Sequence, residues 1–203
     1  MLDFALEKSL FKQGYRTVAA LDEAGRGPLA GPVVAACVIF RADFNICSEL
    51  KQVKDSKKLL AKKRAELCRI VKEKFLACGI GICDNKTIDK INILQASFLA
   101  MKKALGAVKQ KPDIVLLDGG FLIPNFTIKQ QAIVRGDEQI FSIAAASIVA
   151  KVTRDNLMQE LDQKYPQYGF AQHKGYGTKL HLEKLKQYGP CPIHRLSFRR
   201  VKI

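Results

Sequence analysis

Leu21-Asp22-Glu23-Ala24-Gly25-Arg26-Gly27-Pro28-Leu29-Ala30-Gly31-Pro32 lies between two apolar runs, Val18 to Leu21 before it and Val33 to Phe40 after it. The order of elements turns on this segment. Pro28 and Pro32 bracket a glycine-rich turn and a β-branched run follows, so the next element is a strand. Gly25-x-Gly27 is half of a dinucleotide-binding fingerprint, but that fingerprint needs a helix straight after the loop, with its N-terminus facing the phosphate. The chain contains no GxxxxGK[ST] either. A nucleotide-binding glycine loop is therefore set aside. What remains is a strand ending in two adjacent carboxylates, beside a turn that carries one arginine between two glycines. Buried carboxylates are costly unless paired or bound to a metal. The segment reads as a site for a metal and a phosphate.

Outward from this turn, residues 4–13 predict a short amphipathic helix, and 16–23 and 32–40 predict two strands. Asp55-Ser56 predicts a helix start, with Leu60, Leu67, Val71 and Phe75 at helical spacing. Residues 79–83 predict a third strand. Residues 86–108 predict a long helix with Ile88, Ile91, Leu94, Phe98, Met101 and Leu105 along one face. Asp113 to Gly120 is a continuously apolar strand ending in Asp118 and two glycines, a pattern that suits burial on both faces. Residues 127–134 predict a further strand. Asp137 then precedes a long helix from Glu138 to about Gln163, whose start is rich in small residues that let a helix lie close to a sheet. A last helix spans about 178–187, followed by an irregular basic tail. Hairpin-like early strands and later strands separated by helices indicate an α/β domain with a mixed sheet. One domain over residues 1–203 is expected, with a basic C-terminal helical portion from about 164 to 203 packed on it.

The 203 residues are 48% hydrophobic, enough for a well-buried core. No apolar run approaches the roughly 20 residues that span a bilayer, and the N-terminus lacks the basic start of a secretory signal. Cys37, Cys47, Cys68, Cys78, Cys83 and Cys191 form no Cys-x-x-Cys pair, so they read as reduced and mostly buried. Cys191-x-x-His194 resembles half of a zinc site with no second half visible. A cytoplasmic location and no membrane partner are expected. The net charge of +15 points to nucleic acid as the partner. Lys51 to Lys74 carries ten basic and three acidic residues, and Lys164 to Ile203 nine basic and one acidic. Asp113 to Asp162 carries seven acidic and four basic residues. Two basic lobes thus flank an acidic middle, which a merely solvated basic surface does not explain.

The acids of interest are Asp22, Glu23, Asp118 and Asp137. Asp22 and Asp118 fall at the C-terminal ends of strands, where open α/β sheets bind ligands. Hard divalent cations prefer carboxylate oxygens, and two ions about 4 Å apart can clamp an in-line attack at phosphorus. Each acid has a plainer reading alone: Asp137 as a helix cap, Asp118-Gly119-Gly120 as a turn, and Asp22-Glu23 as a salt-bridged edge. Strand neighbours point to opposite faces, so Glu23 joins Asp22 only if the strand ends there.

Together, these residues resemble bacterial ribonuclease HII, the type 2 ribonuclease H. The matching stretches run in order nearly end to end: Asp22 to Val33, Asp55-Ser56-Lys57-Lys58-Leu59, Asn92 to Ala96, Leu117-Asp118-Gly119, Gly136-Asp137, Ser142 to Asp155, Lys174-Gly175-Tyr176-Gly177-Thr178 and His194 to Phe198. The resemblance implies a ribonuclease H-like fold, a five-stranded mixed sheet flanked by helices with a small C-terminal helical part. It implies Mg²⁺- or Mn²⁺-dependent cleavage of RNA in RNA–DNA hybrids. It also implies nicking 5′ of a single ribonucleotide embedded in duplex DNA, leaving a 3′-hydroxyl and a 5′-phosphate. Asp22, Glu23, Asp118 and Asp137 become the catalytic metal ligands, with two ions bound in the substrate complex. Gly25, Arg26 and Gly27 would read the ribonucleotide 2′-hydroxyl, the group that separates RNA from DNA. Tyr176 would stack on the next sugar at the RNA-to-DNA junction, and Lys57, Ser147 and Lys151 would contact phosphates. Type 3 enzymes carry an extra N-terminal domain, whereas 21 residues precede Asp22 here, which favours type 2. A monomer without a sliding-clamp peptide is expected. An integrase- or resolvase-like nuclease would keep the acids but not need the glycine turn or Tyr176. A non-enzymatic RNA-binding protein would need neither the acids nor Mg²⁺.

Overall fold

The computed structural model describes Leu2 and residues 4–201, the side chain of Lys58 excepted. Lys202 and Ile203, the end of the basic tail read over 164–203, lie outside the described residues. Helix α1 (Ala5–Lys12) leads into β1 (Thr17–Ala24) and β2 (Val33–Arg41), then α2 (Ala61–Lys74), β3 (Ala77–Cys83), α3 (Asn85–Gly106), β4 (Ile114–Asp118), β5 (Lys129–Ile133), α4 (Phe141–Lys164), α5 (Phe170–His173) and α6 (Lys179–Tyr188). The five strands form one sheet in the order β3-β2-β1-β4-β5. β1 and β3 run antiparallel to β2, while β4 runs parallel to β1 and to β5. This is the five-stranded mixed sheet expected of a ribonuclease H-like fold.

Strand alternation sorts the core into two layers. Val18, Ala20, Val38, Phe40, Ile114 and Leu116 face α4 and α2. Ala19, Leu21, Cys37, Ile39, Val115 and Leu117 face α3. β2 is buried from Val33 through Phe40 because both its faces are covered. The small residues at the start of α4 act as expected: Ser142 through Ala150 are all buried against the sheet. On the other face, β-carbons at Gly79 and Gly81 would strike the α3 backbone, so glycine there sets the close packing of helix on strand.

Four expectations are corrected. The helix predicted from Asp55 is a single 3₁₀ turn, Ser56–Lys58, and α2 starts only at Ala61. Arg64 holds this break by donating from Nη1 to Ser56 O (2.6 Å) and Leu59 O (2.9 Å), and Leu60 is 83% exposed rather than on the apolar face. Helix α3 is interrupted at Asn92 (φ 64°, ψ 167°), whose Oδ1 accepts from Gln95 N and restarts the helix. Asp137 lies inside a 3₁₀ turn, Gly136–Glu138, entered through left-handed Arg135; it does not cap α4, which begins at Phe141. Finally, β4 and β5 pair in parallel across segment 119–128, which has no helix. The Gln130 side chain pins that segment, accepting from Ile123 N (2.8 Å) and donating to Ile123 O (3.0 Å). Helix α5 was not anticipated at all.

Candidate active site

Parity places Asp22 and Asp118 together. Asp22 continues the row Val18–Ala20 and Asp118 the row Ile114–Leu116, so both point to the face covered by α4. Glu23 belongs by parity to the other face, and the strand does not end there: β1 stays paired with β2 through Ala24. Its pairing with β4, however, stops at Leu21–Leu117. Past that point Glu23 has no strand beside it on the β4 side, and it reaches the same cleft as Asp22. The condition set from sequence, a strand end, is thus replaced by the end of one ladder.

Asp118 Oδ1 accepts from Gly136 N (2.7 Å) and Asp137 N (3.3 Å), which ties the end of β4 to the 3₁₀ turn. A β-carbon at Gly136 would come 2.6 Å from Ile143 Cδ1, so the turn lies close against α4. Asp137 accepts from Lys57 Nζ (3.0 Å). Ser147, on α4, hydrogen-bonds Asp22 and shares a 3.0 Å bond with Ser56. Glu23 accepts from Arg26 Nη1 (3.2 Å). Lys151 donates to Asp155 (2.7 Å), and its Nζ stands 5.8 Å above the Tyr176 ring. That ring is 43% exposed. All eleven residues singled out from the sequence line one cleft of about 640 Å³, completed by Ala24, Ser56 and Arg64.

Acids gathered this closely repel one another. Burial, then the charges of Glu23 and Asp118, push the Asp22 carboxyl well above the ordinary range, against the Ser147 bond. Burial raises Glu23, with the Arg26 charge opposing and Asp118 adding to the rise. Burial and the charge of Asp137 raise Asp118, against the two backbone N–H donors. Burial pulls the Lys57 ammonium down, but its bond to Asp137 together with the charges of Asp137, Asp55 and Asp22 outweighs this and the net shift is upward. Among the described residues, no three acidic, histidine or cysteine side chains are already gathered as a metal-binding group. The acids make an open cup.

Two buried arginines were missed as site residues. Arg195 donates to Gly31 O (3.0 Å), Arg26 O (3.0 Å), Gly25 O (2.6 Å) and Pro32 O (3.2 Å). Arg154 donates to Pro32 O (2.9 Å), Lys174 O (2.9 Å) and Ala30 O (3.2 Å). They hold the glycine turn from behind. Gly25 has φ +103°, and a β-carbon there would collide with the Arg154 side chain. Burial, with the Arg154 charge, pulls Arg195 down to about 9, so it stays cationic at neutral pH. Arg195 lies in the basic tail and Arg154 between Lys151 and Asp155, and nothing in the sequence separates a buried guanidinium from a solvated one at either place. The Cys191–His194 pair is used internally: Cys191 N donates to His194 Nδ1 (2.9 Å), and no cysteine forms a disulfide.

Sheet order, helices on both faces and an acidic cleft at the ends of β1 and β4 define a protein of the ribonuclease H fold. The ribonuclease H2 of Pyrococcus horikoshii OT3 superposes with a TM-score of 0.75 at 29% identity, over 92% of this chain and 95% of that one. The ribonuclease HII of Archaeoglobus fulgidus, solved in complex with PCNA, gives 0.72 at 26% identity over 90% and 95%. Residues 19–201 match the family model for ribonuclease HII. The ribonuclease HII of Geotalea daltonii is 56% identical over 190 residues, 94% of this chain and 86% of the relative. The chain belongs to the ribonuclease HII family and is an endonuclease of the ribonuclease H type. No helix among the described residues is long and apolar enough to cross a membrane.

Proposed function

We propose that the chain cleaves the RNA strand of RNA–DNA hybrids and nicks duplex DNA 5′ to a single embedded ribonucleotide, leaving a 3′-hydroxyl and a 5′-phosphate, in the removal of ribonucleotides from DNA. The observation that carries this reading is the meeting of Asp22, Glu23, Asp118 and Asp137 in one cleft with the Gly25–Gly27 turn and the exposed Tyr176 ring.

A hard divalent cation, Mg²⁺ or Mn²⁺, fits this donor set. The four acids offer oxygen alone, and a cation relieves the repulsion that raises three of them. When bound, such ions supply an acidified water and positive charge at the leaving oxygen. The protein's own groups do the rest. The acids would hold such ions, and the open cleft leaves room for phosphate. Arg195 occupies the Gly25 and Arg26 carbonyls from the protein side, which leaves the amide edge of the turn for the 2′-hydroxyl. Tyr176 offers a flat face for the next sugar, against Gly27. Lys57, Ser147 and Lys151 line the cleft where phosphates would pass, and Lys57 shares its charge with Asp137 until substrate arrives.

The test is a labelled DNA duplex with one ribonucleotide, with and without Mg²⁺, beside Asp118→Asn. The expected result is a metal-dependent nick immediately 5′ to the ribonucleotide, reduced by about 10²-fold or more in the variant while binding persists. Full activity in Asp118→Asn overturns the carboxylate assignment. Salt-sensitive binding without any nick overturns the enzymatic reading.

A further inference from the structure

The protein's three histidines, His173, His181 and His194, fall within 22 residues of one another and meet in one buried cluster behind Tyr176. His173 and His181 stack with ring centroids 4.4 Å apart, and His181 Nε2 lies 3.0 Å from His194 Nε2. Phe170 walls the cluster, 5.5–5.7 Å from each ring centroid.

The partners dictate every proton. Gly175 N–H donates to His173 Nδ1 (3.2 Å), so His173 carries its proton on Nε2 and donates to Tyr168 O (2.8 Å). Cys191 N–H donates to His194 Nδ1 (2.9 Å), so His194 also carries its proton on Nε2. That proton faces His181 Nε2, which must accept it. His181 is left with its proton on Nδ1, and Nδ1 donates to Tyr176 O (2.9 Å). One consistent assignment, with all three rings neutral, satisfies the whole chain.

The backbone this chain grips is strained. Lys174 (φ 53°) and Gly175 (φ 81°) are consecutive left-handed residues. They turn the main chain so that Tyr176 stands at the cleft mouth. Arg154 fixes the carbonyl of Lys174 (2.9 Å) and Leu29 N–H the carbonyl of Gly175 (2.8 Å). On the far side, the Tyr176 carbonyl also receives Thr178 N–H (2.8 Å). We propose that His181, set in its Nδ1–H tautomer by His194 and stacked on His173, is a positioning residue that fixes Tyr176 for selection of the single-ribonucleotide junction. This rests on Tyr176 being the group that meets the sugar.

Long-range ¹⁵N–¹H NMR of the intact protein at neutral pH reads the tautomers directly. One Nδ1–H ring and two Nε2–H rings are expected; three Nε2–H rings, or averaged signals, overturn the inference. The functional arm is a double-mutant cycle of His181→Leu and Tyr176→Ala with Mg²⁺, on the single-ribonucleotide duplex and on a long hybrid. His181→Leu should lower kcat on the junction substrate by about 10- to 100-fold with KM little changed, and affect the hybrid far less. It should cost nothing further when Tyr176 is already alanine. His181→Asn, which keeps an N–H donor near the Nδ1 position, should recover most of the rate. Losses that multiply, or that fall equally on both substrates, overturn the role of His181 alone. Normal junction cleavage by Tyr176→Ala overturns the reading of Tyr176, and this inference with it.

Discussion

Asp22 shows how a site residue can work against its own fold. A carboxyl raised above its unfolded value binds more protons in the folded state, so its stability contribution is present at low pH and lost as pH rises through the raised pKa. Without divalent ions, Asp22→Asn should therefore melt higher than the parent at pH 7, by about 2–4 °C for each ~1 kcal/mol released. The gain should shrink toward pH 4, where the parent carboxyl is protonated as well. Thermal melts in a chelator across that range check this, and an equal or lower Tm for the variant at pH 7 counts against the repulsion. Gly25→Ala tests the turn instead. A side chain at φ +103° that also meets Arg154 should cost about 1–3 kcal/mol in urea unfolding and depress junction cleavage. Asp22 and Asp118 were legible because they end apolar runs. Arg154 and Arg195 were not, since their burial depends on carbonyls of a turn more than a hundred residues away.

At the scale of elements, the legible features were those written in local periodicity. All five strands, α1 and α6 fall within a few residues of their predicted places. What escaped was set by contacts between elements. The break after Ser56 depends on Arg64, and the restart of α3 at Asn92 overrides a continuous apolar face. Segment 119–128 returns to a parallel partner with no helix to announce the crossover. The beginning of α4 is a similar case. The buried Glu7 of α1 accepts from Ser142 N (3.0 Å), so one helix caps another from the far end of the sequence. Glu7→Ala should leave that donor without its partner at a cost of about 1–3 kcal/mol. Chemical denaturation should show the loss while kcat stays near the parent value; an unchanged midpoint would remove Glu7 from the account of α4.

For the whole molecule, charge is divided by sign. Net +15 surrounds an acidic cup, so attraction to a duplex and repulsion of its phosphate coexist a few ångströms apart. Binding of a hybrid should weaken linearly in log–log terms as salt rises. Asp118→Asn should keep that slope; a markedly shallower slope would mean that the cup, not the basic surface, dominates attraction. Arg195 adds a property in time. Its bonds to Gly25 and Arg26 span 170 and 169 residues, so the turn beside the first two acids is anchored by a residue made long after the turn itself. A growing polypeptide carries Asp22 and Glu23 from the outset, but it cannot lock the loop next to them until residue 195 has left the ribosome. Chains that have not reached residue 195 therefore present the acids without the anchored turn, and the cleft takes its finished form only once that residue has been made.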